Sequence, residues 1–267
     1  MNASALSLRH GLRSTTVLGL VIILVIALAA AFAPLLTAND PSRSGMEFLA
    51  PPDATHWFGT DDLGRDVFAR VLYGGRASLI IGIGSSVIAT LIGVPVGLVS
   101  GYAGGRTDVI AEQLINLFIA LPGMVIALMF TAIVGPTLTN LTLVLGVVSW
   151  PRMARLVRGQ ALLLREAVFV DAARAAGGGP SWILRMHLLP NTMRIIAAQF
   201  SLTVAYSIFT AASLSFLGLG VPPPMPDWGG MVREGFNYLE LNPSMSIAPS
   251  VAVALTVLGF YCVGSET

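Results

Sequence analysis

Long apolar segments alternate with shorter polar ones along most of this chain. About 20 helical residues cross the hydrocarbon core of a bilayer, so each long apolar segment is a candidate transmembrane helix. The six predicted spans are about 17–36, 79–100, 109–134, 138–157, 193–213 and 247–263. The pattern predicts an all-α, polytopic membrane protein in which a short segment, 1–14, precedes a transmembrane domain, 15–267.

The first apolar segment has two interpretations. Ala31, Phe32 and Ala33 have the A-x-A form of a signal-peptide cleavage site. The apolar run, however, is longer than the ~7–15 residues of a signal sequence, and Pro34 directly follows the candidate cleavage site. We therefore interpret the segment as an uncleaved membrane anchor.

Small residues recur at every fourth position of the second span, and this spacing places them on one helix face. The ridge that they form is Ser85, Ala89, Gly93, Gly97 and Gly101. Because lipid gives helices no hydrophobic drive to associate, transmembrane helices pack closely where side chains are small. We predict that this ridge packs against another helix, with a ligand-lining role for the glycines as the alternative. A kink is expected at Pro95.

Polar residues form a second one-sided pattern, in the fifth span. They step at i, i+4, i+7, i+11 and i+14, which is one face of a helix. This polar stripe is Gln199, Thr203, Tyr206, Thr210 and Ser213. Two roles fit it, hydrogen bonding between helices or the lining of a translocation path. The pattern alone does not choose between them.

A polar segment, 165–191, separates the fourth and fifth spans and predicts a helical hairpin. The apolar face of its first helix recurs at i, i+3, i+4 and i+7, and consists of Phe169, Ala172, Ala173 and Ala176. Gly177 is expected to end this helix in the left-handed conformation. A second helix, 182–189, is expected to be capped by Ser181 and ended by Pro190. The alanine-rich face would let another protein approach the hairpin closely.

Two outer segments complete the predicted layout. The polar segment 37–76 contains a stretch, Asp66–Leu72, that predicts a short helix lying along the outer surface, with an amphipathic lead-in to the next span as the alternative. The segment 213–235 is rich in Gly and Pro, and we predict that it cannot continue a helix.

The arginines orient the predicted spans. With the N-terminus inside, ten of them lie in inner segments: Arg9, Arg13, Arg106, Arg152, Arg155, Arg158, Arg165, Arg174, Arg185 and Arg194. The outer segments hold five: Arg43, Arg65, Arg70, Arg76 and Arg233. The bias fits the positive-inside rule and predicts that the hairpin and both termini are cytoplasmic.

Composition narrows the class of protein. Only 11% of the residues are charged, against about 25% in a soluble domain, and the mean hydropathy is +0.79, so the chain is an integral membrane protein. A net charge of +1 gives no electrostatic case for nucleic-acid binding. The single cysteine, Cys262, excludes an internal disulfide and a cysteine-based metal cluster. The chain has no G-x-x-x-x-G-K-[ST] phosphate-binding loop.

Three stretches resemble signatures of bacterial ABC importers. The hairpin resembles the EAA signature of their membrane subunits, which is Glu-Ala-Ala, three residues, Gly, nine residues and Ile-x-Leu-Pro. The matching positions are Asp171, Ala172, Ala173, Gly177, His187, Leu189 and Pro190. Asp171 replaces the usual Glu, and His187 gives the His-x-x-Pro-Asn form of the peptide and nickel branch. The stretches 56–79 and 213–235 resemble the GTDxLGRDVxSRxxYGxRxSL and SLSFLGLGxxPPxPxWGxM segments of the C-type partner in dipeptide, oligopeptide and nickel permeases.

The resemblance implies a type I ABC importer permease fold in the bacterial plasma (inner) membrane. It implies a subunit that forms half of the translocation path for dipeptides or oligopeptides, with nickel, glutathione or another small solute as alternatives. The implied partners are a homologous second permease, two ATPase subunits or one fused ATPase, and an extracytoplasmic substrate-binding protein. ATP and Mg²⁺ would be bound by the ATPase partners and no cofactor or metal by this chain. The hairpin would dock on the ATPase, and the polar stripe would line the path.

Two other classes of protein fit the residues less well. An intramembrane enzyme needs convergent catalytic groups, but His10, His56 and His187 all fall in predicted loops or flanks, with no Ser-His or His-x-x-Glu-His pattern. An ion-driven carrier needs carboxylates near the middle of the membrane. Glu112 is the one candidate, and it lies near the end of a predicted span.

Overall fold

The computed structural model describes residues 14–265. This part of the chain contains eleven α-helices and no β-strand, apart from an isolated bridge between Thr60 and Asp66. In chain order the helices are α1 Ser14–Ala31, α2 Ala33–Leu36, α3 Val67–Ala103, α4 Gly105–Ala120, α5 Gly123–Val134, α6 Leu138–Leu164, α7 Val168–Ala175, α8 Pro180–Ile183, α9 Leu189–Leu214, α10 Trp228–Phe236 and α11 Ser244–Gly264. Two π-helical segments, Leu184–Leu188 and Ser215–Leu219, adjoin the two ends of α9.

Four helical runs are long and apolar enough to cross a membrane: α1, α3, the continuous run Pro180–Leu219 and α11. The pair α4 and α5 meets the same condition as a bent span, which raises the number to five. Helix α6 contains the predicted span 138–157 but is not among them, and it carries Arg152, Arg155 and Arg158. Within residues 14–265, length and composition thus give four or five spans, fewer than the six predicted.

The second span is part of one long helix, α3, so the stretch 66–72 is the lead-in to this span, as the alternative had it, and not a separate surface helix. Asp66 caps α3, and its carboxylate accepts a hydrogen bond from the Ala69 N–H at 2.6 Å. The helix then continues through Pro95 for 37 residues. A helix of that length extends about 55 Å, well beyond the ~30 Å of the hydrocarbon core. The predicted surface helix is therefore the projecting end of a span.

The third span is broken, and the prediction of one continuous helix over 109–134 is wrong. Helices α4 and α5 meet at an angle of 82° across Leu121 and Pro122. A proline disfavours the helical conformation in the residue before it, and Leu121 is extended, with φ −90° and ψ 138°. The broken span places a helix end inside the membrane-spanning part of the chain.

Pro190 does not end the second arm of the hairpin, contrary to the prediction. The helical run Pro180–Leu219 passes through it, and the arm and the fifth span are one continuous element. A proline ring clashes with the carbonyl four residues earlier in an α-helix, but the π-helical turn Leu184–Leu188 widens the ladder just before Pro190. Nor does Ser181 cap this helix, because Gly179 occupies the cap position and Pro180 the first turn.

The segment 213–235 is partly helical, which corrects the prediction that it cannot continue a helix. The fifth span extends to Leu219, and the backbone leaves the helix at Gly218, where φ is +90°. A second helix, α10, begins where the carboxylate of Asp227 accepts a hydrogen bond from the Gly230 N–H at 3.0 Å. The glycines and prolines therefore break the chain only between these helices.

The ridge of small residues lies against α6. A Cβ on Gly97 would lie 2.7 Å from the Ala154 carbonyl oxygen, and one on Gly101 would lie 2.6 Å from the Ala161 Cβ. At the other end of the ridge, the Ser85 hydroxyl donates to the Thr142 carbonyl at 3.0 Å. The two helices therefore approach closely along the whole ridge, as small-residue seams allow.

Candidate functional site

The turn of the hairpin is fixed by its backbone. Gly177 has φ +86°, in the left-handed region. Its N–H donates to the Arg174 carbonyl at 3.0 Å, and the Gly178 N–H donates to the Ala173 carbonyl at 2.9 Å. These two bonds form a Schellman motif, which satisfies the last carbonyls of α7. No atom lies within 4 Å of the position of a Gly177 Cβ, so conformation and not space requires glycine here.

The hairpin is anchored in the bundle by four buried side chains. Val170, Ala173, Ile183 and Leu188 belong to an apolar cluster with residues of α3, α6 and α9. Of the predicted apolar face of α7, only Ala173 is buried, whereas Phe169, Ala172 and Ala176 are exposed. The remaining residues of the signature are exposed or partly buried: Asp171, Gly177, His187, Leu189 and Pro190. The anchored side holds the hairpin to the spans, and the apolar outer side is open to a partner.

An aromatic contact joins the two arms of the hairpin, and Arg174 joins the first arm to the end of α3. The His187 ring lies 4.8 Å from the Trp182 ring and 6.1 Å from the Phe169 ring, measured between centroids. On the first arm, Arg174 donates to Asp171 at 3.0 Å, and its guanidinium lies 5.3 Å from the Tyr102 ring centre at the end of α3. The first arm therefore contacts both the second arm and the end of α3.

A ladder of polar contacts links α4 to α6 and was not foreseen from the sequence. Arg158 donates to both carboxylate oxygens of Asp108, at 2.5 and 2.9 Å, and to Glu112 at 3.1 Å. Arg155 donates to the Asn116 side-chain oxygen at 2.6 Å. The four-residue spacing on α4 and the three-residue spacing on α6 are signals of facing helix surfaces. Glu112 was the one candidate for the mid-membrane carboxylate of an ion-driven carrier. It already has Arg158 as its partner.

The polar stripe of α9 separates into buried and partly exposed members. Thr203 and Thr210 are buried, and their hydroxyls donate to the Gln199 and Tyr206 carbonyls at 2.7 and 2.8 Å. The Ser213 hydroxyl likewise donates within the helix, to the Phe209 carbonyl at 2.9 Å. Gln199, Tyr206 and Ser213 remain partly exposed. The hydroxyls of the two threonines and of Ser213 therefore find their hydrogen-bond acceptors within α9 itself.

An ion-pair network joins the outer segment to α10. Arg65 donates to Asp61 at 2.7 Å, and Arg65 and Arg70 donate to Glu234 at 3.2 and 2.9 Å. Burial raises the pKa of Glu234, against the opposing effect of Arg70 and Arg65. The carboxylates of Asp61, Asp62 and Glu234 lie close enough to hold a cation, but Arg65 and Arg70 already neutralise two of them. Only the Asp61–Arg65 contact is local in sequence, so pattern analysis missed the network.

Long apolar helices with one broken span, and a hairpin that is anchored in the bundle and open to a partner, define the membrane subunit of a multi-component transporter. The model of the family described as the binding-protein-dependent transport system inner membrane component matches residues 93–264. The chain belongs to this family.

Several curated relatives cover most of the chain. It is 38% identical over 258 residues to the oligopeptide transport system permease protein OppC of Bacillus subtilis, which covers 96% of this chain and 85% of that protein. It is 38% identical to the dipeptide transport system permease protein DppC of Alkalihalophilus pseudofirmus, over 93% of this chain and 82% of that protein. It is 42% identical to the glutathione transport system permease protein GsiD of Pectobacterium atrosepticum, over 80% and 71%.

A solved structure shows the same fold. The chain aligns with a chain of the MetNI methionine ABC transporter in an inward-facing conformation with a TM-score of 0.62, 21% identity, and coverage of 74% of this chain and 94% of that one. The fold is that of a type I ABC importer permease, as the resemblance of its motifs had implied.

Proposed function

We propose that this chain forms half of the translocation path of an ATP-driven importer for dipeptides or oligopeptides in the bacterial inner membrane. The observation that carries the proposal is the hairpin, whose inner side is buried in the bundle and whose outer side is exposed. Two relatives are 38% identical to the chain over 96% and 93% of its length, and they are named as oligopeptide and dipeptide permease proteins. These names support a peptide substrate.

The proposed partners supply what this chain lacks. The sequence has no phosphate-binding loop, so ATP and Mg²⁺ would be bound by two ATPase subunits or one fused ATPase, and this chain would be a non-catalytic permease. A homologous second permease would form the other half of the path. An extracytoplasmic binding protein would deliver the substrate from outside.

The coupling stroke would travel through rigid elements. An ATPase that pushes on the exposed face of α7 also moves Val170 and Ile183, which are fully buried against the spans. The second arm continues without a break into the fifth span, so any movement of this arm also moves the polar stripe. Rocking of rigid helices about a central site is the usual basis of alternating access.

Uptake into proteoliposomes tests the function. The full chain would be purified with its partner subunits and binding protein, reconstituted with internal ATP, and offered labelled di- and tripeptides, glutathione or Ni²⁺. We expect uptake of peptides that requires hydrolysable ATP. Uptake of Ni²⁺ or glutathione alone would reassign the substrate, and uptake that needs no ATP would contradict the importer assignment.

The orientation in the membrane is a separate prediction. Residues 1–13, which hold Arg9, Arg13 and nearly all of the predicted cytoplasmic segment, lie outside the described part of the chain. We expect a reporter fused after Arg165 to be cytoplasmic and one fused near Trp228 to be extracytoplasmic, because the arginines are concentrated around the hairpin. Paired alkaline phosphatase and fluorescent-protein fusions measure this, and the reverse pattern would contradict it.

A further inference from the structure

Arg152 differs from the other two arginines on its face of α6. Arg158 and Arg155 have polar partners on α4, whereas the next position along that face of α4 is Ala120. Within residues 14–265, no carboxylate lies at ion-pair distance from Arg152. Its guanidinium carbon instead lies 4.2 Å from the centre of the Tyr206 ring. Stacking uses the face of the guanidinium, so the N–H donors at its edge are not engaged by the ring.

The depth of Arg152 makes an unpaired charge costly. It is the fifteenth residue of α6, so it lies about 21 Å along the helix axis from Leu138. Its side chain is exposed in the single chain. This position is towards the inner end of the predicted span 138–157. A charged side chain within a span is expensive against lipid and characteristically faces the bundle interior or a water-filled path, or reaches the interface when it lies near the end of the span.

The contact with Tyr206 connects Arg152 to the polar stripe and to the broken span. The Tyr206 hydroxyl would lie 3.0 Å from a Cβ on Gly123, the first residue of α5. Further along α9, an apolar groove with a volume of about 710 Å³ is lined mainly by residues of α9, α10 and α11, and neither Arg152 nor Tyr206 lines it. Its lining includes Met124, which follows Gly123, and Phe209, one turn from Tyr206. Arg152 thus lies next to a residue of the polar stripe and close to the break between α4 and α5.

We infer that Arg152, held against Tyr206, binds the free C-terminal carboxylate of a peptide in transit. The inference rests on the proposed function. A terminal carboxylate is common to peptides of every sequence, so the pair would serve a broad range of peptides. Guanidinium presents a planar fork of N–H donors that matches a carboxylate, and stacking on a ring leaves the donors at its edge free.

Photolabelling of the membrane-embedded complex in the absence of the binding protein tests this inference. A tripeptide with a diazirine side chain would label the resting complex, and unlabelled tripeptide would compete either as the free acid or as the C-terminal amide. In the wild type we expect the acid to compete at about tenfold lower concentration than the amide, as for one charge-assisted contact. Arg152→Gln should abolish this difference, and Arg152→Lys, which keeps the charge without the fork, should retain part of it.

The matched control is Arg155→Gln, one turn away on the same helix, which should retain the preference for the acid. Equal competition by acid and amide in the wild type would overturn the inference, as would an unchanged preference in Arg152→Gln. Absence of labelling in a complex that imports peptides would also overturn it. A complex that imports no peptide at all would instead overturn the proposed function, so the two failures are distinguishable.

Discussion

Gly97→Leu is expected to prevent α3 from packing on α6 and to remove most of the folded protein from the membrane. A Cβ at this position would lie 2.7 Å from the Ala154 carbonyl oxygen and 2.9 Å from the Arg158 amide nitrogen. Both are backbone atoms, so neither can rotate away, and the two helices must separate. Overpacking of this kind typically costs about 1–3 kcal/mol, and occasionally more. Separation would also disturb the contact of Arg158 with Asp108.

The measurement is membrane abundance together with copurification of the partner subunits. A destabilisation of this size lowers cellular abundance severalfold. Gly159→Leu is the matched control, because Gly159 is exposed on α6 and no atom lies within 4 Å of the position of its Cβ. Gly97→Ala already introduces the clashing Cβ and should have an intermediate effect. Normal abundance and normal copurification of Gly97→Leu would show that the seam does not hold the bundle together.

Local chemistry predicted the features that depend on one residue or one helix face. The spacing of small residues predicted a close helix contact along one face of α3, and α6 packs against this face. Gly177 was expected to have a positive φ because it follows an alanine-rich helix, and φ is +86°. Both features follow from steric rules that act within a few residues, so distant parts of the chain do not change them.

Prolines show where local rules fail. Pro122 breaks the third span, whereas α3 continues through Pro95 and a helical run continues through Pro190. A hydropathy window averages over Leu121 and Pro122, so it merges two helices that meet at 82°. At Pro190 the rule for helix ends was outweighed by a π-helical turn, which removes the clash that the rule assumes. Such outcomes depend on how the rest of the bundle packs around each proline.

The site was least predictable where its parts are distant in sequence. Arg70 and Glu234 are 164 positions apart, and Arg158 and Asp108 are 50 apart. The periodicity of a single segment cannot show that such residues form a pair, because the pairing depends on which helices become neighbours. The partial burial of the polar stripe has the same origin, since burial of Thr203 and Thr210 depends on the helices around α9.

Gly177→Val is expected to leave membrane abundance near normal and to abolish substrate-stimulated ATP hydrolysis and peptide uptake. Space is available for a side chain, so the cost comes from the backbone, where φ +86° costs about 1–2 kcal/mol for a residue with a Cβ. Relief of that strain breaks the two Schellman bonds at the end of α7. The first arm then turns relative to the second, and the exposed face of α7 no longer matches the surface of the ATPase.

Gly179→Val is the matched control, two residues further along the same turn. Gly179 has φ −74° and ψ 160°, a conformation that valine adopts readily before a proline, and no atom lies within 4 Å of the position of its Cβ. It adds the same bulk to the same exposed turn without the strain, so coupled ATPase activity should be retained. Equal loss in both variants would mean that bulk on the turn, and not its conformation, blocks the partner. Wild-type coupling in Gly177→Val, measured in the reconstituted complex, would show that the stroke does not pass through this hairpin.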